Sequence, residues 1–98
     1  MSAPVTATVL SQPNCAGCQW VKRSLEQAGV EYTELDVTVD AAAETMLRAI
    51  YDNRRRGQRP ATPVTILVGP DEVETVFGPD VRSSLKRHTR AAAATQAA

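Results

Sequence analysis

The feature that most constrains this chain is a pair of cysteines, Cys15 and Cys18, separated by two residues. They are the only cysteines among the 98 residues. Before them, Val5–Leu10 alternates in polarity and is rich in β-branched side chains, which predicts a strand. After them, residues 19–28 carry apolar side chains at helical spacing, which predicts a helix. The cysteines therefore fall at a strand-to-helix turn.

The position of the pair at the start of a helix has a chemical consequence. Asn14 is predicted to be the N-cap, which makes Cys15 the first helical residue. The free N–H groups of the first turn and the positive end of the helix dipole then face the Cys15 sulfur. Such an environment lowers a thiol pKa from about 8.5 towards neutrality. Cys18, one turn further on, can reach the same sulfur, and a reactive thiol with a second thiol beside it is what disulfide exchange requires.

Two other uses of the cysteine pair are open. A C-x-x-C motif is half of many zinc sites, but the chain has only one histidine, His88, so a four-ligand site would lack a ligand. A structural disulfide would close a very small loop and would restrain the unfolded chain little. Within a strand–helix unit, the motif favours redox chemistry.

Composition excludes several classes of function. The formal net charge is zero, so there is no bulk electrostatic basis for binding nucleic acid or a membrane surface. No apolar run is long enough to cross a bilayer, and the N-terminal residues lack the pattern of a secretory signal. We therefore expect a cytoplasmic monomer that binds neither nucleic acid nor membrane, in a compartment where paired thiols are more often catalytic than structural.

The remaining sequence alternates strands and helices with short connections, which predicts a parallel β-α-β unit followed by a hairpin and a last helix. The predicted order is β-α-β-α-β-β-α. We expect one domain over residues 1–90 and an alanine-rich tail, 91–98, that either extends the last helix or frays. The later elements are predicted as strand 30–37, helix 41–53, strands 64–68 and 72–77, and a helix with Pro79 in its first turn that continues towards Arg90.

Several side chains outside the cysteine motif carry expectations of their own. Met46, Leu47, Ile50 and Tyr51 are predicted to form the apolar face of the second helix. His88 is predicted to be a surface residue near the end of the last helix.

A basic segment, residues 54–60, contains four arginines and is called the arginine loop below. It is predicted to be a solvated helix end, since cations favour the C-terminal end of a helix. A docking patch for an acidic partner is the alternative. Nucleic acid is not favoured, because no aromatic residues interleave with the arginines.

The sequence resembles the glutaredoxin branch of the thioredoxin fold, and especially the NrdH-redoxins, which are small electron donors of ribonucleotide reductase. The likeness covers residues 5–88. The residues that carry it are Ser11, Pro13, Cys15, Cys18, Arg23, Leu25, Ala28–Tyr32, Asp36, Thr62–Val64, Phe77, Pro79 and Asp80.

The resemblance implies an α/β thioredoxin fold, with a four-stranded mixed sheet and flanking helices. It implies that Pro63 follows a cis peptide bond and lies beside Cys15, where an incoming peptide could pair with the Thr62 backbone. It further implies catalytic roles for two residues and substrate or partner contacts for five. These are Cys15 and Cys18 as catalytic residues, and Thr62, Pro63, Gln12, Pro13 and Asp80 as contact residues.

The function implied is a thiol-disulfide oxidoreductase that reduces protein disulfides of partners such as ribonucleotide reductase and is recharged by thioredoxin reductase. No metal or cofactor beyond the redox-active disulfide is expected. Glutathione-binding glutaredoxins have two glycines ahead of the aspartate, whereas Gly78-Pro79 precedes Asp80 here. A glutathione-dependent glutaredoxin is therefore an alternative that is not favoured. A [2Fe–2S] carrier held by Cys15 of two chains and two glutathione molecules is another.

Overall fold

The computed structural model describes the backbone of residues 5–97 and the side chains of residues 5–94. Its elements follow the predicted order, and the largest difference is at the last helix, which begins at Arg82 rather than around Pro79. The elements are β1 (Thr6–Ser11), α1 (Ala16–Gln27), β2 (Glu31–Asp36), α2 (Ala41–Arg54), β3 (Val64–Val68), β4 (Val73–Phe77) and α3 (Arg82–Ala97).

The four strands form one mixed sheet in the order β2-β1-β3-β4. β1 runs parallel to β2 and antiparallel to β3, which in turn pairs antiparallel with β4. The parallel pair is joined through α1, because parallel neighbours need a crossover connection. The sheet is the one that the resemblance implies, and the fold class is confirmed.

The two faces of the sheet are covered by different helices, since successive strand side chains point to opposite faces. One buried cluster joins the sheet to α1 and α3 through Val21, Leu25 and Leu85. The other joins it to α2 through Ala43, Leu47 and Tyr51. Cys15 follows β1 at its C-terminal end, so the turn that carries the cysteines lies at one edge of this layered core.

The predicted apolar face of α2 is partly wrong. Leu47 and Tyr51 are buried and Ile50 packs against the same cluster, but Met46 is 40% exposed. The face is instead completed by Ala43, which is 1% exposed and one turn before Leu47. Met46 lies beside the row formed by Ala43, Leu47 and Tyr51, because neighbouring helical residues point about 100° apart, and at this position the side chain is left partly exposed.

His88 is not a surface residue, and this prediction was also wrong. Its side chain is 2% exposed, and its Nε2 lies 3.0 Å from Oε1 of Glu74 on β4. The reason is that α3 does not end near Arg90 but continues to Ala97, which places His88 in mid-helix against the hairpin. The alanine-rich segment therefore extends the helix, and Ala92 is buried in the core.

Candidate active site

The two cysteines are joined in a disulfide, with their Cα atoms 5.2 Å apart. Cys15 is the N-cap of α1, so the prediction of Asn14 for this position was wrong by one residue. The Cys18 backbone N–H donates a hydrogen bond to Cys15 Sγ at 3.1 Å. Asn14 has a φ of 60° and forms the turn, a left-handed conformation that asparagine tolerates. The Cys15 sulfur thus occupies the place of the acceptor oxygen in an ordinary N-cap.

The two sulfur-bearing residues differ in accessibility. Cys15 is half-buried, whereas Cys18 is 1% exposed. A large partner can therefore approach the first residue of the pair but not the second. This difference matches the division of roles that stepwise disulfide exchange needs, one thiol for attack from outside and one for resolution from within.

Thr62 and Pro63 lie just before β3, the antiparallel neighbour of β1, and meet the cysteines there, as the resemblance implies. The Thr62–Pro63 peptide bond is cis. The Thr62 hydroxyl donates to Cys15 Sγ at 3.7 Å, and Pro63 is buried. A Cβ added to Gly17, between the cysteines, would lie 3.2 Å from Pro63 Cδ. The absence of a side chain at Gly17 therefore allows α1 to approach this proline closely.

Among the described residues, the other three predicted contact residues form no hydrogen bond with the cysteines. Gln12 and Pro13 are exposed in the turn before Cys15, and Asp80 is exposed before α3. With the helix predicted to have Pro79 in its first turn, Asp80 would be helical, but the helix begins at Arg82. Gly78 has a φ of 86° and turns the chain after β4. Val81, the residue directly before α3, is buried.

Two cation–aromatic pairs within the described part of the chain flank the site, and neither was predicted. The Arg82 guanidinium lies 4.8 Å from the centroid of the Trp20 ring, and that of Arg55 lies 4.5 Å from the Phe77 centroid. Trp20 is 42% exposed. The density of arginines in residues 54–60 is the available sequence signal for the second pair, but the pairing of Arg55, at the end of α2, with a ring on β4 depends on the tertiary fold.

Three residues of the kinds that bind metal ions lie close together where the β3–β4 hairpin meets α3, and neither cysteine is among them. Glu72, Glu74 and His88 place their ligand atoms within 4.8 Å of one another. The Arg87 guanidinium already pairs with both carboxylates. Burial raises the pKa of Glu74, but hydrogen bonds from His88, Ser84 and Arg87 outweigh it and leave the pKa below its ordinary value. The cluster is therefore a satisfied polar contact between hairpin and helix.

Comparison with known proteins now identifies the family. Residues 7–69 match the family model described as glutaredoxin. The chain belongs to the glutaredoxin family. It is similar to the Gene 56 protein of Mycobacterium phage D29, with 36% identity over 78 residues, which are 80% of this chain and 74% of that protein.

Two solved structures extend the likeness. The thioredoxin-like protein BC3987 is 31% identical, with a TM-score of 0.60 over 82% of this chain and 96% of that one. The NrdH-redoxin from Escherichia coli is 26% identical, with a TM-score of 0.56 over 82% of this chain and 93% of that one. The glutaredoxin-family protein described here is therefore a thiol-disulfide oxidoreductase with a Cys15–Cys18 pair, and redoxins of this kind act on protein disulfides.

Within residues 5–97, none of the helices combines the length and the apolar character that crossing a membrane would require.

Proposed function

We propose that this glutaredoxin-family protein is a dithiol electron donor of the NrdH-redoxin type, which reduces a partner such as ribonucleotide reductase and is recharged by thioredoxin reductase. The observation that carries the proposal is the position of Pro79. A Cβ added to Gly17 would lie 3.5 Å from the Cβ of Pro79, so the proline ring packs against the turn that holds the cysteines. A proline has no N–H to donate, and it stands where glutathione-binding relatives have a glycine.

The similar NrdH-redoxin from Escherichia coli supports the same proposal, because it is a glutaredoxin-like protein with a thioredoxin-like activity profile. We also propose that the protein acts as a cytoplasmic monomer with no resident metal or cofactor. A dithiol that a reductase recharges works in a reducing compartment. An iron–sulfur absorption band after anaerobic purification with glutathione would contradict the proposed lack of a cofactor.

The reaction proceeds in two exchanges. The Cys15 thiolate attacks the substrate disulfide, a bond forms between Cys15 Sγ and one substrate sulfur, and the other substrate sulfur leaves as a thiolate and takes a proton. Cys18 then attacks Cys15 Sγ and displaces the remaining substrate sulfur. The substrate gains two electrons and the Cys15–Cys18 pair loses them. Thioredoxin reductase returns two electrons from NADPH.

Two hydrogen-bond donors assist the first exchange. The Cys18 backbone N–H and the Thr62 hydroxyl both point at Cys15 Sγ, at 3.1 Å and 3.7 Å. Donors directed at a sulfur favour its anionic form, since hydrogen bonds to charged acceptors are the stronger ones. Burial of Cys18 keeps the second thiol away from solvent oxidants and from the substrate until the mixed disulfide has formed.

The proposal is tested by NADPH consumption during reduction of a protein disulfide, first with thioredoxin reductase and then with glutathione plus glutathione reductase. We expect turnover with thioredoxin reductase and little with glutathione. The Cys15→Ser variant is the negative control in both assays, because it lacks the attacking thiol. Turnover with glutathione alone would overturn the proposal and make the protein a glutathione-dependent glutaredoxin.

A matched gain-of-function variant sharpens this experiment. Pro79→Gly places two glycines ahead of Asp80 and restores a backbone N–H at that position. We expect glutathione-coupled turnover to rise by about fivefold, the value of one net hydrogen bond near 1 kcal/mol, while turnover with thioredoxin reductase is unchanged. No change in the glutathione assay would mean that Pro79 is not what disfavours glutathione.

A further inference from the structure

The arginine loop leads directly into the candidate active site. It begins at the last residue of α2 and ends at Pro60, just before Thr62, whose hydroxyl lies 3.7 Å from Cys15 Sγ. The segment is tied to α2, because the Tyr51 hydroxyl donates to the backbone carbonyl of Ala61 at 3.3 Å. The C-terminal end of the loop is therefore held against α2, two residues before Thr62.

A second contact fixes the loop against the sheet. The Arg55 guanidinium stacks 4.5 Å from the centroid of Phe77, a strand residue paired with Val64. Val64 directly follows Pro63, the buried residue beside the cysteines. One cation of the loop is thus positioned by an aromatic ring whose strand partner, Val64, follows Pro63.

The loop carries a local excess of positive charge in a chain that is neutral overall. Residues 48–60 contain five arginines and one acidic residue, Asp52. Within residues 5–97, the ion pairs that form involve Lys22, Arg48, Arg87 and His88 as the basic partners, and no arginine of the loop. All four loop arginines are exposed, and they are Arg54, Arg55, Arg56 and Arg59.

A cleft of about 420 Å³ lies where the loop meets the turn before the cysteines. It brings Gln12, two residues from Asn14, together with Arg59 and Pro60 of the loop. Its lining is mixed in polarity. The other groups that line it include Thr38, Glu44, Leu47 and Arg48. Glu44 is the acidic group in this cleft, and its Oε1 is already 3.4 Å from Arg48 Nε, so Arg59 is the cation left to meet a ligand.

We propose that the arginine loop and this cleft form a docking surface for an acidic segment that flanks the disulfide of the substrate protein. The inference rests on the proposed function, because it names the kind of protein disulfide that the donor prefers. Guanidinium groups bind carboxylates through paired hydrogen bonds. A localised positive surface also speeds the encounter with an acidic partner and makes that encounter sensitive to salt.

The test uses three short disulfide-bonded peptides of one sequence, with aspartates, serines or lysines beside the disulfide. The reduced protein is mixed with each peptide, and the second-order rate of exchange is measured at low and at high salt. We expect the aspartate peptide to react about tenfold faster than the lysine peptide at low salt, a modest value for electrostatic steering. The difference should largely vanish near 1 M salt, where the Debye length is about 3 Å.

A matched pair of variants locates the effect. Arg56→Gln/Arg59→Gln removes two exposed loop charges, and Lys86→Gln/Arg90→Gln removes two exposed charges on α3. Both lower the net charge equally, and Arg55 is left in place because its guanidinium packs on Phe77. We expect only the loop variant to lose the preference for the aspartate peptide, with the rate on the serine peptide unchanged in both variants.

Several outcomes would overturn the docking surface. An equal loss in both variants would show that net charge alone is responsible. A loop variant that still prefers the aspartate peptide would place acidic recognition elsewhere. A loop variant impaired only on glutathione disulfide would assign the arginines to glutathione, and one impaired only in binding single-stranded DNA would assign them to nucleic acid.

These outcomes are separate from failure of the proposed function. That failure appears as absent recharging by thioredoxin reductase, which the peptide exchange rates do not measure.

Discussion

At the residue scale, the site depends on small differences between groups of the same type. Cys15 and Cys18 are both cysteines in one turn, yet one is half-buried and the other is 1% exposed. Cys15 is the N-cap and accepts a backbone hydrogen bond, whereas Cys18 supplies the N–H of that bond. These differences fit the proposed roles, in which Cys15 attacks the substrate disulfide and Cys18 resolves the mixed disulfide.

The first prediction separates these two roles. Cys15→Ser should lose all disulfide reduction, because no other thiol is exposed to the substrate. Cys18→Ser should accumulate the mixed disulfide between Cys15 and the substrate, since the resolving thiol is gone. Mass spectrometry of the quenched reaction detects the adduct. Normal turnover of Cys18→Ser on protein disulfides would disprove the assignment of Cys18 as the resolving residue.

A second prediction concerns a buried hydroxyl on β3. Thr65 is fully buried, and within the described residues its Oγ1 has no hydrogen-bond partner. Thr65→Val keeps the β-branched shape and removes the polar group, so we expect the free energy of unfolding to rise by about 1 kcal/mol. Urea denaturation measures it, with Thr8→Val at a half-buried position of β1 as the control. A loss of stability in Thr65→Val would instead mean that the hydroxyl is paired.

At the scale of secondary-structure elements, polar contacts join the hairpin to α3. Glu74 on β4 accepts hydrogen bonds from Ser84 and Arg87 of the helix and lies 3.0 Å from His88 Nε2. The buried histidine ring also restricts the hairpin, because a Cβ added to Gly69 would come 3.3 Å from its Cε1 and closer still to Nδ1. The Glu74 carboxylate on β4 therefore contacts three side chains of α3 and links this helix to the sheet.

The third prediction follows from the pKa of Glu74. Burial opposes ionisation, but the three hydrogen bonds together hold this pKa below its ordinary 4.5. A carboxyl whose folded pKa is lowered contributes stability above its unfolded pKa, and this contribution is lost as the pH falls through the folded value. Glu74→Gln should be less stable than the wild type at pH 7 and should lose less stability on acidification below about pH 4.5.

Urea denaturation at a series of pH values between neutrality and about pH 3 measures this difference. Glu31→Gln is the matched control, because Glu31 is exposed on β2 and takes part in no ion pair within residues 5–97. Parallel pH profiles for Glu74→Gln and the wild type would show that the hairpin contact does not stabilise the ionised carboxylate.

At the scale of the whole molecule, the core formed by residues 5–94 consists of two clusters on opposite faces of one sheet. The cluster under α1 and α3 reaches from Val21 and Leu25 to Ala92, beyond the predicted domain end at residue 90. The division into a domain of residues 1–90 and a tail therefore stays a prediction, and truncation decides it.

The fourth prediction tests this boundary. A chain that ends at Arg90 lacks the buried Ala92 and the last turns of α3, so we expect its free energy of unfolding to fall by about 1 kcal/mol. A chain that ends at Ala94 keeps Ala92 and should match the full-length protein. Equal stability of all three chains in urea would show that residues 1–90 form the complete domain.

Much of the fold could be predicted because its determinants are local. The polarity alternation in β1 and the helical spacing after Cys18 each act within a few residues, and all seven elements were found. The misplaced features have a non-local cause. Met46 and His88 were assigned from their own helices, while their burial depends on which helix face meets the sheet and on how far α3 extends.

The sequence by itself determined the chemistry, since a C-x-x-C pair at a strand-to-helix turn limits the chain to few uses, and it determined the order of elements. Only the tertiary structure decided which groups meet that pair. It brings Thr62 and Pro63 from the start of β3 to Cys15, and it stacks Arg55 on Phe77 beside them. The physical reason is that side-chain type and periodicity depend only on residues close together in the sequence. Contacts across the sheet arise instead when its two faces are buried under different helices.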